Sequence, residues 1–125
     1  MSMMRKVLLT LSSWAGTIVM GVVVSSLGRP YHGLVFSVHI LLALAAVGMT
    51  FVFIRTYFKE FEPDTLTTFL LVVIGVAVIA LFMTGTFLSI GFGAHETVKS
   101  IHTITTVILA LSAAGVFVLT QLKSR

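Results

Sequence analysis

The chain has 125 residues, of which 58% are hydrophobic and only 10% charged, with a formal net charge of +4 and no cysteine. A soluble domain of this size cannot hide so much apolar surface, so composition and a mean hydropathy of +1.13 place it among integral membrane proteins. The missing cysteines exclude disulfides, thiolate metal sites and thiol catalysis, and the scattered basic residues, with no aromatic interleaving, argue against nucleic-acid binding.

In chain order, Arg5 and Lys6 lead into an apolar run over about residues 7–27. It is longer than the apolar region of about 7–15 residues found in a signal peptide, and reads as a helix. Pro30 and Gly33 mark a turn before a second run at about 34–54, and a third and fourth follow at about 66–90 and 98–122. Each exceeds the roughly 20 residues needed to cross a bilayer. The connections are short, so the sequence predicts one domain over residues 1–125. Its class is all-α, an integral membrane four-helix bundle running up-down-up-down. Arg5, Lys6, Arg55, Lys59, Lys123 and Arg125 fall on the side of both termini, and Arg29 and Lys99 on the other. The positive-inside rule then predicts a multi-pass protein of the cell (plasma) membrane with both termini cytoplasmic and its histidines in the outer half.

An internal repeat organises these elements. An offset of 63 aligns Ser26-Leu27-Gly28 with Ser89-Ile90-Gly91, His32 with His95, Val35 with Val98, Ser37 with Ser100 and His39 with His102. Further on, an offset of 67 aligns Leu42-Ala43-Leu44 with Leu109-Ala110-Leu111 and Gly48 with Gly115. Four extra residues are close to one helical turn, so facing is nearly kept. The pattern is a duplicated helix hairpin, with repeat 1 at about 7–54 and repeat 2 at about 66–122. The two copies are expected to be related by a pseudo-two-fold axis along the membrane normal. Residues seven apart on a helix differ by only about 20° in direction, so each histidine pair forms one stripe. His39 is then expected to face His102, with His32 facing His95 one layer further out.

Ionisable side chains are costly in a membrane span, and a duplicated pair is a functional-site hypothesis by default. Imidazole is the usual axial ligand of haem iron, and facing helices of bundles are common cofactor sites. The pairs are separated by about 10.5 Å along the helix, close to the width of a porphyrin, so one haem b is favoured over two. His39 and His102, the deeper pair, are the expected iron ligands. His32 and His95 are expected near the haem propionates with Arg29 and Lys99. The reverse assignment, iron on His32 and His95, places the ligands at the turn. Ser37 and Ser100 read as supporting groups or backbone-bonding serines. Gly16, Gly21, Gly75 and Gly85 provide either room for a macrocycle or close helix packing. The two-turn separation is too long for one tetrahedral metal centre, and the acids Glu60, Glu62, Asp64 and Glu96 lie in loops or at a helix end, which argues against a proton-coupled exporter. No nucleophile motif with a carboxylate partner is present.

The stretch Val38-His39-Ile40-Leu41-Leu42-Ala43-Leu44, Ile101-His102 running to Leu109-Ala110-Leu111, and Thr84-Gly85-Thr86-Phe87-Leu88-Ser89 together resemble the haem-binding helices of haem A synthase. Those enzymes are usually two fused four-helix bundles, and this chain resembles one of them over nearly its whole length. The resemblance implies a haem held by histidines of the second and fourth helices. Phe36 and Ile40 stand where the synthase carries a glutamate and an arginine, and its loop cysteines are missing. The likeness therefore implies the haem-binding bundle more than farnesyl-haem oxidation. The expected function is a membrane b-type cytochrome that transfers electrons in the lipid bilayer, from quinol or as a component of a respiratory assembly, to a redox partner. The alternatives are a half-size haem-modifying enzyme like haem A synthase, and a non-haem packing subunit with interfacial histidines.

Overall fold

The computed structural model describes residues 2–125. They form four helices: α1 (Met3–Leu27), α2 (Gly33–Glu60), α3 (Thr65–Ile90) and α4 (His95–Lys123). All four are long and apolar enough to cross a membrane. The protein is thus an all-α, multi-pass membrane protein. Each helix covers its apolar run and extends past it where charged residues follow, through Arg55 and Lys59 in α2 and Lys123 in α4. Gly33, read in the sequence as part of a turn, is the first helical residue of α2. Cβ-free glycine fits either role at a helix start, and the His32 cap decides it.

The chain divides into two compact units, Met1–Glu62 and Pro63–Arg125, each an α-helical hairpin. In the first, α1 packs on α2; in the second, α3 packs on α4. Capping sets the helix starts. Ser2 accepts from the Arg5 N–H and Asp64 from the Thr67 N–H, each satisfying one of the donors a first turn leaves unpaired. Glycine sets two of the ends. Gly28 and Gly91, 63 positions apart, follow α1 and α3 with φ of +73° in both, a backbone region that side chains with a Cβ disfavour.

Lipid tails offer helices no hydrophobic incentive to associate, so close packing and hydrogen bonds must hold each hairpin. In the first, the Trp14 indole Nε1 donates to Thr50 Oγ1 at 2.9 Å, and Lys6 Nζ donates to Thr56 Oγ1 at 2.7 Å. Thr10 Oγ1 lies 2.7 Å from the Lys6 carbonyl of its own helix and 3.3 Å from the Met49 carbonyl of α2. In the second, Lys123 pairs with Asp64 between the end of α4 and the start of α3. Leu71, Ile74 and Ala77 of α3 and Leu109, Ser112, Val116 and Thr120 of α4 are buried.

The repeat is carried into the packing. Ala46, Phe53 and Tyr57 are the buried positions of α2, and the residues 63 further on, Leu109, Val116 and Thr120, are buried in α4. A single offset therefore serves the buried seam to its end. The sequence matches at an offset of 67 fall one turn away on nearly the same face, which explains why side-chain similarity alone suggests an insertion.

Candidate functional site: two histidines tied to their partner helices

His39 is half-buried on α2, and its Nδ1 lies 2.9 Å from the main-chain carbonyl oxygen of Thr17 on α1. A carbonyl only accepts, so Nδ1 is the donor and carries the hydrogen. In the neutral ring, the lone pair is then on Nε2. This contact depends on Gly21, one turn after Thr17. A Cβ there would lie 3.0 Å from His39 Cε1 and 3.5 Å from Nδ1. Glycine lets the imidazole lie against the backbone and reach the carbonyl.

His102 occupies the matching place on α4, also half-buried. Its Nδ1 lies 2.7 Å from Oγ1 of Thr84, a buried residue of α3. Thr84 Oγ1 is also 2.8 Å from the Ala80 carbonyl and 3.3 Å from that of Leu81. The ring is near Gly85 at ordinary distance, since a Cβ there would lie 3.5 Å from Cε1. Under the repeat offset of 63, Thr17 corresponds to Ala80 and Gly21 to Thr84. Both imidazoles thus address the same carbonyl position of the preceding helix. His39 does so directly, and His102 through the hydroxyl that stands where the first hairpin has glycine.

The outer histidines differ from this pair. His32 is exposed and serves as the N-cap of α2, its Nδ1 accepting from the Val35 N–H at a long 3.5 Å. A ring capping through Nδ1 carries its hydrogen on Nε2 when neutral, so it presents no free lone pair. That separates His32 from His39 by chemistry. His95 is half-buried at the first position of α4, whose N-cap, Ala94, supplies no side-chain bond. Glu96 lies in the same first turn, where a carboxylate meets the positive end of the helix dipole. Arg29 is exposed and Lys99 half-buried, and neither makes an ion pair among the described residues.

Of the supporting groups named from sequence, Ser37 bonds back to the Gly33 carbonyl of its own helix and is exposed. Gly16 faces Leu42, an ordinary packing contact, and Gly75 meets nothing within 4 Å, so Gly21 and Gly85 are the two that touch histidine rings. The groups that sequence reasoning missed are the Thr17 carbonyl and the Thr84 hydroxyl. A backbone acceptor has no residue-type signature. Thr84 has none by residue type, and only the repeat offset, which sets it against Gly21, could have singled it out. Among the described residues no group of three or more histidines and acids could hold a metal ion. No family model, curated protein or solved structure matches the chain.

Proposed function

We propose that the protein is a membrane b-type cytochrome with haem b as its cofactor, His39 and His102 being the residues that would hold the iron through Nε2. The observation that carries this reading is the state of the two rings. Each Nδ1 is engaged by its own hairpin, at 2.9 Å and 2.7 Å, which orients the imidazole and makes Nε2 the nitrogen that would face a metal. Ligating histidines almost always donate their other N–H to a carbonyl, carboxylate or similar acceptor. Gly21 keeps space beside the His39 ring that a Cβ would fill. The donor set, two neutral imidazoles without cysteine, suits a low-spin haem.

Bound there, haem iron supplies a one-electron carrier that alternates between ferric and ferrous states. The chain's part is to hold and tune it. Thr17 and Thr84 fix the planes of the ligand rings, and the apolar spans exclude water. Arg29, Lys99, His32 and His95, at the loop ends of the helices, would supply the cationic and polar partners that propionate carboxylates need near a membrane surface. The basic residues at the other end favour a topology with both termini in the cytoplasm, and with it a haem near the outer face of the plasma membrane. Quinol on one side and an extracytoplasmic or membrane-bound acceptor on the other would complete the electron path.

A reduced-minus-oxidised spectrum of the purified protein tests the reading. Sharp visible bands of a low-spin b haem are expected, with loss of those bands in His39→Ala and in His102→Ala and their retention in His32→Ala. A featureless wild-type spectrum from haem-replete cells would refute the haem reading and leave a packing subunit. Recovery of chemically altered haem would instead assign a haem-modifying activity. Loss of half the haem in His32→Ala, with half retained, would replace one haem by two.

A further inference from the structure

We infer that Thr84 is a positioning residue for His102: its hydroxyl accepts the ring's Nδ1–H and passes the bond on to the Ala80 carbonyl, so that the two ligand histidines are held by unlike acceptors. The inference rests on the proposed haem reading only for its consequence at the iron. The hydrogen-bond relay itself is a property of the second hairpin.

Direction is the first point to settle, because a hydroxyl can donate or accept. Thr84 has one hydrogen and three neighbours within reach of it, the Ala80 carbonyl at 2.8 Å, the more distant Leu81 carbonyl at 3.3 Å and His102 Nδ1 at 2.7 Å. If the hydroxyl donated to Nδ1, the carbonyl contact would bring two acceptor oxygens together with no hydrogen between them. If it donates to the carbonyl, its lone pair receives Nδ1–H and both contacts are bonds. The first hairpin shows the same device twice with donors whose direction is fixed. Thr50 Oγ1 donates to the Ala46 carbonyl at 2.7 Å while accepting from the Trp14 indole, which can only donate. Thr56 Oγ1 donates to the Val52 carbonyl at 2.9 Å while accepting from the Lys6 ammonium, which likewise can only donate. A threonine bonded four residues back and receiving a proton from the facing helix is therefore the recurrent way these hairpins are stitched. Thr84 follows it, and His102 takes the Nδ1–H tautomer.

The consequence is an asymmetry built into a duplicated scaffold. His39 gives its hydrogen to a main-chain carbonyl, whereas His102 gives its hydrogen to a hydroxyl already polarised by a carbonyl. Acceptor strength at Nδ1–H sets the basicity of the opposite nitrogen and so tunes the metal it holds. Removing the acceptor at residue 84 makes His102 a poorer donor to ferric iron and raises the reduction potential. Position 21 is the natural control, because the first hairpin has no side chain there to remove.

The test has two arms. In the first, the full chain is labelled with ¹⁵N-histidine, prepared from cells unable to make haem, and held in detergent near neutral pH. Nitrogen shifts should report His102 protonated at Nδ1 and bare at Nε2 in wild type and Thr84→Ser, with that preference lost in Thr84→Val and the His39 signals unmoved. A wild-type His102 carrying its hydrogen on Nε2 would overturn the proposal without any variant having to fold, as would a Thr84→Val protein whose His102 signals match wild type. In the second, the haem-loaded protein is titrated electrochemically. Thr84→Val should raise the midpoint potential and Thr84→Ser should restore it, and an unchanged potential in both overturns the tuning role. If the wild type takes up no haem at all, the first arm still judges the relay, so failure of the haem reading and failure of the Thr84 assignment are told apart.

Discussion

Gly21→Ala isolates the direct histidine–carbonyl contact of the first hairpin. The added Cβ would lie 3.0 Å from His39 Cε1, while carbon atoms at rest prefer about 3.5–4.0 Å, so the ring must withdraw by roughly half an ångström. The Nδ1 bond to the Thr17 carbonyl, 2.9 Å in the native protein, then stretches toward the limit at which a hydrogen bond counts. Weakening one such bond costs about 0.5–1.5 kcal/mol, and replacing a helical glycine by alanine returns about 0.8–1.0 kcal/mol. Thermal unfolding in detergent should therefore change by less than about 1 kcal/mol in either direction. The ligand ring is displaced all the same. Loss of an orienting partner typically weakens a metal site by about 10–100-fold, so haem affinity should fall by about 10-fold. Gly85→Ala is the matched control: its Cβ would sit 3.5 Å from His102 Cε1, ordinary contact, and haem affinity should hold. Haem titration of both variants, followed by absorbance, gives the comparison. If Gly85→Ala loses as much haem as Gly21→Ala, or if Gly21→Ala loses none, close approach at position 21 has no bearing on the site.

The two helix-ending glycines should respond differently to substitution. Gly28 combines φ +73° with ψ −173°, a region essentially reserved to glycine, whereas Gly91 at φ +73° and ψ 25° is left-handed helical, which asparagine tolerates. Gly28→Asn should lower the melting temperature clearly more than Gly91→Asn, and equal losses measured by circular dichroism would contradict the assigned conformations. Asp64 supplies a pH dependence. Its bond from Lys123, then those from Thr67, hold its carboxyl well below the usual carboxylate range. A depressed folded value means stability that is fully present above the unfolded carboxylate pKa and lost as the pH falls through the folded value. The wild-type melting temperature should thus fall on acidification below about pH 4, where an unfolded carboxylate begins to bind protons, and Asp64→Asn should flatten that slope. Identical acid limbs in the two proteins would refute it. Trp14→Phe removes the indole donor to Thr50 while keeping an aromatic ring, and should cost about 0.6–1.5 kcal/mol by reversible unfolding. A neutral result would mean that Thr50 is satisfied by its own helix alone.

Much of the fold was legible because membrane spans write their length into the sequence. The four apolar runs locate the four helices, and only the charged ends, Arg55 to Glu60 above all, extend further than hydropathy indicates. A helix needs no apolar residue to continue once it has left the hydrocarbon, so hydropathy marks the bilayer and not the last hydrogen bond. The repeat was legible too, and the glycine pair Gly28 and Gly91 shows why: both end a helix at positive φ, though with different ψ. His39 and His102 stood out as ionisable groups in apolar surroundings. Their partners did not. The Thr17 carbonyl is main chain, and a threonine such as Thr84 is common in membrane helices, where bonding to its own turn is its ordinary role. His32 illustrates the opposite limit, because a histidine capping a helix looks in sequence like a histidine awaiting a ligand.

Within the second hairpin the acid-sensitive tie and the histidine tie lie far apart. Asp64 and Thr84 are separated by twenty residues of helix, about 30 Å at 1.5 Å per residue. The Asp64–Lys123 pair closes the open end of the α3–α4 hairpin, while Thr84 and His102 join the same helices close to their connecting loop. The first hairpin repeats the division with other residues, Lys6 on Thr56 at the open end and His39 on Thr17 toward the loop. The two hairpins therefore share where the helices are tied and not what ties them. At the open end a lysine changes helix and gains a carboxylate partner. Toward the loop a glycine becomes a threonine, and the ring that lay on the backbone is held one atom further away. The fixed elements are the imidazole and the carbonyl position it addresses, and those are the groups a metal ligand and its orienting acceptor require.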